Sequence, residues 1–203
     1  KTICSRTNSI RITFALLCAL MLSQSQVHGQ GTVWFNNRIT GTLVTHVYGP
    51  DPGAPGIPTG NSSIDTPAGS TVYTGNLLSG SGWTAQLWSA PGTTANQADL
   101  VASFGGTSTF RTGTAAGSWV ATTATLANVA EDASAAVLQV RVFPTSYGTW
   151  ANAFAAYQSG DLNAQVGASP MFVVYDIGGQ VNTPPILIGL TSFSIAIDPS
   201  LLR

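Results

Sequence analysis

A lone histidine and scattered carboxylates are the residues whose chemistry must be considered first. Beyond residue 29 the only histidine is His46, in the segment LVTHVYG. A serine hydrolase needs a histidine between a nucleophile and an orienting acid, and a zinc site needs several ligands of suitable type. The chain has no Gly-x-Ser-x-Gly motif, which exposes a nucleophilic serine at a sharp turn. We therefore predict that His46 is a strand-face residue, and we expect no catalytic residue, no metal site and no cofactor.

The acidic residues mostly accompany turn-forming residues. Asp commonly forms turns beside Pro, Gly or Asn. The one adjacent pair, Glu131-Asp132, is predicted to lie in a solvated turn, although loop carboxylates of this kind also bind Ca²⁺. Two carboxylates facing each other across a cleft would instead indicate a glycosidase, which leaves a secreted hydrolase as an alternative. The eight acids are Asp51, Asp65, Asp99, Glu131, Asp132, Asp161, Asp176 and Asp198.

The aromatic residues suggest a binding surface. In the segment WTAQLWSAP, Trp88 shares the polar phase of a strand with Thr84 and Gln86, opposite Ala85 and Leu87. An exposed ring beside neutral hydrogen-bonding groups suits a polysaccharide or a protein neighbour. We therefore predict Trp88, Gln86 and Thr84 as ligand-binding residues, with Trp88 exposed. Core packing is expected for most of the other tryptophans, Trp34, Trp83, Trp119 and Trp150.

The first residues have the composition of a secretory signal. Lys1, Arg6 and Arg11 precede an apolar run over residues 12–22, and a polar stretch follows. As a helix this run would reach only about 16 Å, well short of the roughly 30 Å bilayer core. We therefore predict a signal peptide over residues 1–29, cleaved after Gly29, and an exported mature chain that is extracellular or at the cell surface.

Removing residues 1–29 changes the composition that bears on partners. Both cysteines, Cys4 and Cys18, would leave with the signal, and no lysine would remain. The mature chain, residues 30–203, has four basic and eight acidic residues, a net charge of 4 − 8 = −4. A surface without a basic patch does not neutralise phosphates, which argues against nucleic acid as a partner. We also expect no transmembrane anchor in the mature chain.

Short strand-like segments separated by turns dominate residues 30–203, which we expect to form a single domain. Residues 135–143 alternate most clearly, with Leu138, Val140 and Val142 predicted to face the core and Gln139 and Arg141 the solvent. The pattern predicts an all-β fold, an antiparallel β-sandwich or jelly roll preceded by a signal-peptide helix, with a closed barrel as the alternative. Further strand-like segments cover residues 32–44, 82–92, 107–113, 117–126, 170–178 and 186–197.

Three local features complete the prediction. Five prolines and five glycines in residues 48–70 predict a long loop. Residues 149–161 are the one segment that favours a short helix. The pair Asn36-Asn37 interrupts the first strand and is predicted to let it bend, so that it serves both sheets.

Several motifs together resemble a family of exported bacterial proteins. GTVWFNNRITG, VYGPDPG, WTAQLWSAPG, TSTFRTG, LQVRVF and GLTSFSI occur in that order. This series is similar to that of exported Verrucomicrobial proteins that usually carry a PEP-CTERM sorting tail. The resemblance implies a secreted or surface-attached β-sandwich of the envelope or extracellular matrix, and it carries over no catalytic residue. The chain departs from the family at Asp198-Pro199-Ser200, where it lacks the Pro-Glu-Pro sequence, the apolar helix and the basic cluster.

The sequence thus favours a non-catalytic structural or interaction protein of the envelope or matrix, with polysaccharide or matrix proteins as partners. A carbohydrate-binding module is the alternative, and a flat row of exposed Trp or Tyr rings would favour it. A secreted hydrolase is the third hypothesis, which two facing carboxylates, or His46 beside an acid, would favour.

Overall fold

The computed structural model of the chain describes residues 29–51 and 57–196. The predicted signal peptide up to residue 28, part of the predicted loop (52–56) and residues 197–203 lie outside the described residues. Of the described residues, 40% are in strands and 11% are helical. Ordinary domains average about a third helix, so this low helix content confirms the all-β prediction.

Eleven strands, one α-helix and three single 3₁₀ turns make up the described part of the chain. The α-helix lies inside the segment 149–161 for which a helix was predicted, so that prediction is confirmed. The 3₁₀ turns are Gln97–Asp99, Gly113–Ala115 and Thr145–Tyr147. The strands and the α-helix are β1 (Gln30–Phe35), β2 (Arg38–Ile39), β3 (Leu43–Val44), β4 (Val47–Tyr48), β5 (Trp83–Pro91), β6 (Val101–Thr109), β7 (Thr122–Ala130), β8 (Ala135–Pro144), α1 (Trp150–Gln158), β9 (Gly167–Ala168), β10 (Phe172–Tyr175) and β11 (Phe193–Ser194).

One seven-stranded antiparallel sheet forms the larger layer. Its strands follow the order β1-β7-β6-β5-β8-β10, and β9 also pairs with β8. Two short sheets form the second layer: β2 pairs antiparallel with β3, and β4 pairs parallel with β11. The predicted antiparallel β-sandwich is therefore confirmed, with a second layer of short sheets and loops in place of one continuous sheet.

The main core fills the space between these layers. Trp119 is fully buried there, with its ring stacked on Phe35 at 4.7 Å and its indole N–H donated to the Phe35 carbonyl at 3.2 Å. The large sheet and the second layer both contribute buried apolar side chains, among them Val33, Ala85, Leu87, Leu126, Leu138, Val140, Val142, Leu43, Val47, Leu187, Phe193 and Ile195.

Strand β8 departs from the predicted alternation of buried and exposed residues. Leu138, Val140 and Val142 face the core as predicted, but the prediction that Gln139 and Arg141 face solvent is wrong. Gln139 is only 2% exposed and Arg141 only 8% exposed. They do lie on the other face of the strand, where segments that precede and follow β8 in the chain cover them. The cause is long-range packing, which a two-residue period does not show.

Helix α1 supplies much of this cover. Its N-cap is Thr149, whose side chain accepts a hydrogen bond from the Asn152 N–H. Trp150, Phe154 and Tyr157 follow at helical spacing and stack in series, with ring centres 5.4 and 6.1 Å apart. A second apolar cluster forms where this helix meets β8, and Phe143 belongs to it.

The predicted bend at Asn36-Asn37 is confirmed, because β1 belongs to the large sheet and β2 to the second layer. Asn37 is fully buried. Its amide nitrogen donates to the carbonyls of Thr45 (2.7 Å) and Gly117 (3.2 Å), and its carbonyl oxygen accepts the Trp119 N–H (3.1 Å). One side chain therefore satisfies backbone groups from two other segments.

We predict that Asn37→Leu lowers the free energy of unfolding by about 3 kcal/mol, because it leaves the Thr45 carbonyl and the Trp119 N–H without their partner. Asn36→Ala is the matched control: Asn36 accepts one local hydrogen bond, from the Arg38 N–H, so about 1 kcal/mol is expected. Urea unfolding measures both. Equal losses for the two variants would show that Asn37 does not hold the layers together.

Candidate functional site

The outer face of the large sheet carries the predicted ligand-binding residues. Thr84, Gln86 and Trp88 alternate along β5 with Ala85 and Leu87, which are fully buried in the core. The three therefore point away from the core, as the alternation predicts. Across the β5–β8 pair, Thr84 is opposite Phe143, Gln86 is opposite Arg141, and Trp88 is opposite Gln139.

Two of the three predicted residues line a cavity of about 520 Å³, here called the polar groove. Thr84 and Gln86 lie on one side of it, and β6 supplies the facing hydroxyls. No charged residue lines the groove, so it offers hydroxyl and amide groups above an apolar floor. Its main lining residues are Thr84, Gln86, Thr107, Thr109, Phe143 and Thr149.

Trp88 does not line the polar groove. Its ring is partly buried, and the Cζ atom of Arg141 lies 3.9 Å from the ring centre. Its indole N–H donates to the Gln86 side-chain oxygen at 3.1 Å. One face of the ring is thus covered and its donor is used. Trp88 therefore orients Gln86 and Arg141 and is not the open stacking platform that the sequence suggested.

The other tryptophans do not supply a flat row of exposed rings either. Trp119 is fully buried, and Trp83 and Trp150 are partly buried. Trp34 is 39% exposed, but it lies on β1, three strands away from β5 in the sheet order. The surface thus favours hydrogen bonding in the groove over stacking on a row of rings.

Arg141 lies beside the groove and was missed as a site residue because β8 alone predicted it to be solvated. Its Cζ atom lies 3.9 Å from the Trp88 ring centre and 5.3 Å from that of Trp150. Its Nε donates to the Gln139 side-chain oxygen (2.9 Å) and its Nη2 to the Gln97 carbonyl (3.4 Å). Burial lowers the pKa of Arg141 to about 10, so the side chain remains a cation at neutral pH.

A second cavity, of about 350 Å³, opens at Arg141. It is called the arginine cavity below. Trp150 and Phe154 of α1 form its aromatic wall, and Gln97, Ala98 and Ala168 complete the lining. The polar groove and the arginine cavity are neighbours, because Thr149 lines the first and the next residue, Trp150, lines the second.

His46 is found beside an acid, the arrangement that would favour a hydrolase. Its Nδ1 lies 2.5 Å from an Asp65 carboxylate oxygen, and each residue is only 5% exposed. In a catalytic triad the serine hydroxyl contacts the histidine nitrogen remote from the acid. Here the nearby hydroxyls of Ser62 and Ser192 instead donate to Asp65, at 2.8 and 2.9 Å. Within the described residues, no group hydrogen-bonds to His46 Nε2.

The Asp65 carboxylate is the centre of this buried cluster. It also accepts the backbone N–H of Ser62, at 2.5 Å. The Ser192 hydroxyl in turn accepts the backbone N–H of His46, at 2.7 Å. Burial raises the pKa of Asp65, but the hydrogen bonds from His46, Ser62 and Ser192 outweigh burial and hold it below its usual value. The cluster joins the loop after β4 to the start of β11, and its geometry suits a structural role.

Glu131-Asp132 lies in the turn between β7 and β8. The Asp132 carboxylate accepts the backbone N–H groups of Gln180 (2.9 Å), Val181 (3.1 Å) and Asn182 (2.8 Å). The hydrogen bond from the Asn182 N–H contributes most to lowering the pKa of Asp132, and those from Val181 and Gln180 add to it. The carboxylate thus holds the 180–182 loop against this turn.

No family assignment follows from similarity, because comparisons with protein-family models, with curated proteins and with solved structures give no match. The resemblance to exported PEP-CTERM-type proteins accordingly stays a hypothesis. No helix within residues 29–51 and 57–196 is long and apolar enough to cross a membrane. In the same part of the chain, no group of three or more His, Cys, Asp or Glu side chains is placed to hold a metal ion.

We predict that Asp65→Asn destabilises the fold at neutral pH by about 3 kcal/mol, because an uncharged amide accepts these hydrogen bonds less well. A carboxylate whose folded pKa is lowered stabilises the protein above its unfolded pKa of about 4 and ceases to do so as the pH falls through the folded pKa. Below about pH 4 the wild type should therefore lose stability more steeply than the variant.

Urea unfolding between pH 2 and pH 7 measures this difference. Asp176→Asn is the control, because Asp176 is exposed and Asn tolerates its positive φ of 53°. The control should follow the wild-type profile. Parallel profiles for wild type and Asp65→Asn would contradict the structural role given to the buried carboxylate.

Proposed function

We propose that this protein acts by contact and not by catalysis, as an exported interaction protein of the envelope or extracellular matrix, and that the polar groove binds polysaccharide. The observation that carries the proposal is the groove itself, a cavity of about 520 Å³ lined by Thr84 and Gln86 together with the threonines of β6. That volume lies within the 300–1,000 Å³ range typical of ligand pockets.

The chemistry of the groove matches a sugar. Sugar hydroxyls both donate and accept hydrogen bonds, and the threonine hydroxyls and the Gln86 amide do the same. Phe143 gives the groove an apolar floor, since it is 2% exposed and still contributes to the lining. Its walls are adjacent strands of one sheet, so the polar groups are held in place before a ligand binds.

The setting of the proposal rests on the sequence. The basic and apolar start of the chain favours export, and the resemblance to envelope-associated proteins favours a matrix partner. The lining of the polar groove agrees with contact to uncharged sugar residues, because it includes no charged side chain.

A protein neighbour in the matrix is the second candidate, and exposed apolar residues on the sheet favour it. Phe104 of β6 is 62% exposed and Tyr175 of the edge strand β10 is 61% exposed. Large exposed rings are common anchors at protein interfaces. They lie on different strands, separated by β5 and β8 in the sheet order. The groove therefore remains the better-defined site.

We predict that the double variant Thr84→Val/Gln86→Ala weakens polysaccharide binding by roughly ten- to thirtyfold, since it removes two neutral hydrogen-bonding groups of about 1 kcal/mol each. A glycan array identifies the ligand, and calorimetric titration then compares the variants. Thr123→Val is the control, because Thr123 is an exposed strand threonine of β7 that does not line the groove. Unchanged affinity in the double variant, or no glycan bound by the wild type, would contradict the proposal.

A further inference from the structure

Arg141 is a buried cation without an acidic partner. Arg141 is only 8% exposed. Among the described residues, the one pair of acidic and basic groups within 4 Å is His46–Asp65, which does not involve Arg141. Buried charges are normally paired, because an isolated ion loses its hydration. Both polar partners of Arg141 are neutral: the Gln139 side chain and the Gln97 carbonyl.

The acids at the ends of the two elements that cover Arg141 are already engaged. Asp99 ends the 3₁₀ turn that contains Gln97, and its carboxylate accepts the backbone and side-chain N–H groups of Asn96. Asp161, just after α1, accepts the Tyr147 hydroxyl at 2.6 Å. Neither carboxylate neutralises the guanidinium.

The unused donors of Arg141 define what the cavity can bind. A guanidinium has five N–H donors, and the two hydrogen bonds within the described part of the chain leave three of them without a partner there. Arginine binds carboxylates through two parallel hydrogen bonds from such a pair of nitrogens. Arg141 is one of the residues that line the arginine cavity, so this cavity is where a ligand carboxylate would approach those donors. One guanidinium balances a single negative charge, which favours a carboxylate over a doubly charged phosphate.

The neighbouring surface indicates what carries the carboxylate. The arginine cavity has about 350 Å³, near the lower end for ligand pockets, and one wall is formed by Trp150 and Phe154. The polar groove lies alongside, because Thr149 lines the groove and the next residue, Trp150, lines the arginine cavity. A sugar chain crossing from groove to cavity would place one residue at Arg141.

We propose that the arginine cavity binds the carboxylate of a uronic acid residue in an acidic polysaccharide, whose neighbouring sugars occupy the polar groove. This inference rests on the proposed function and names its ligand class. Arg141 supplies the charge-assisted hydrogen bonds, and Trp88 and Trp150 hold the guanidinium by cation–π contact. Burial also lowers the pKa of Arg141, and a bound carboxylate would reverse that effect.

Calorimetric titration with acidic tetrasaccharides tests the proposal. The probes are tetrasaccharides of galacturonate, of mannuronate and of hyaluronan, each compared with its carboxyl-reduced, neutral form. We expect the wild type to bind at least one acidic form roughly ten- to a hundredfold more tightly than its reduced form, as hydrogen bonds to a charged group imply. Arg141→Met should remove this preference, and Arg141→Lys should retain only part of it.

Two controls separate binding from folding. Arg38→Met makes the same change at an exposed arginine and should bind like the wild type. The melting temperature of Arg141→Met should stay close to that of the wild type, because removal of a buried cation without an internal counter-ion offsets the lost hydrogen bonds to Gln139 and Gln97. A marked fall in that temperature would mean that Arg141 serves the fold, and would overturn the proposal.

The remaining outcomes distinguish this inference from the proposed function. If acidic and reduced saccharides bind equally, or if Arg141→Met keeps the preference, the inference fails while the groove remains a saccharide site. If no saccharide binds, both fail. Tighter binding of a peptide with a free C-terminal carboxylate than of its amidated form, without any saccharide preference, would assign the cavity to a protein partner and overturn the inference.

Discussion

The burial of β8 on both faces is the constraint on which the rest of the structure depends. One face packs into the core between the layers through Leu138, Val140 and Val142. The other carries Gln139 and Arg141, and it is closed over by α1, by the Gln97–Asp99 turn and by the segment around Ser169. A strand buried on both faces usually carries apolar residues throughout. Here the polar residues of the outer face require partners, and those partners shape the neighbouring groove and cavity.

The second layer relies on buried polar contacts more than on strand pairing. Its two sheets have only two residues per strand, too few to be stable alone. Buried polar side chains supply the stability that these short strand pairs lack. Asn37 makes three side-chain hydrogen bonds to other segments, and Asp65 makes two, to His46 and Ser192, besides its bonds to Ser62. This arrangement places the histidine–acid pair inside the scaffold, away from the outer face of the large sheet on which we propose that the ligand binds.

The structural features that can be predicted from the sequence are those that depend on residues close together in the chain. Alternation places Thr84, Gln86 and Trp88 on one face, and the pair Asn36-Asn37 marks the passage between layers. What it misses depends on distant parts of the chain: α1 covers Arg141, and a proline- and glycine-rich loop returns Asp65 to His46, 19 residues away. The exposure of Trp88 was misjudged for the same reason, because the guanidinium that covers its ring comes from a strand about 50 residues later.

The most direct test of the outer face as the contact surface is the NMR spectrum of the arginine side chains during titration with the acidic tetrasaccharides. The predicted mature chain has four arginines, Arg38, Arg111, Arg141 and Arg203, so single-arginine variants can assign each Nε–H signal. The account predicts that the Arg141 Nε–H signal and the backbone amides of Gln86 and Trp150 shift together and saturate together, while Arg38 and the residues around Asp65 do not move. A bound saccharide that leaves Arg141 and Gln86 unmoved, or that shifts residues of another face, would contradict it.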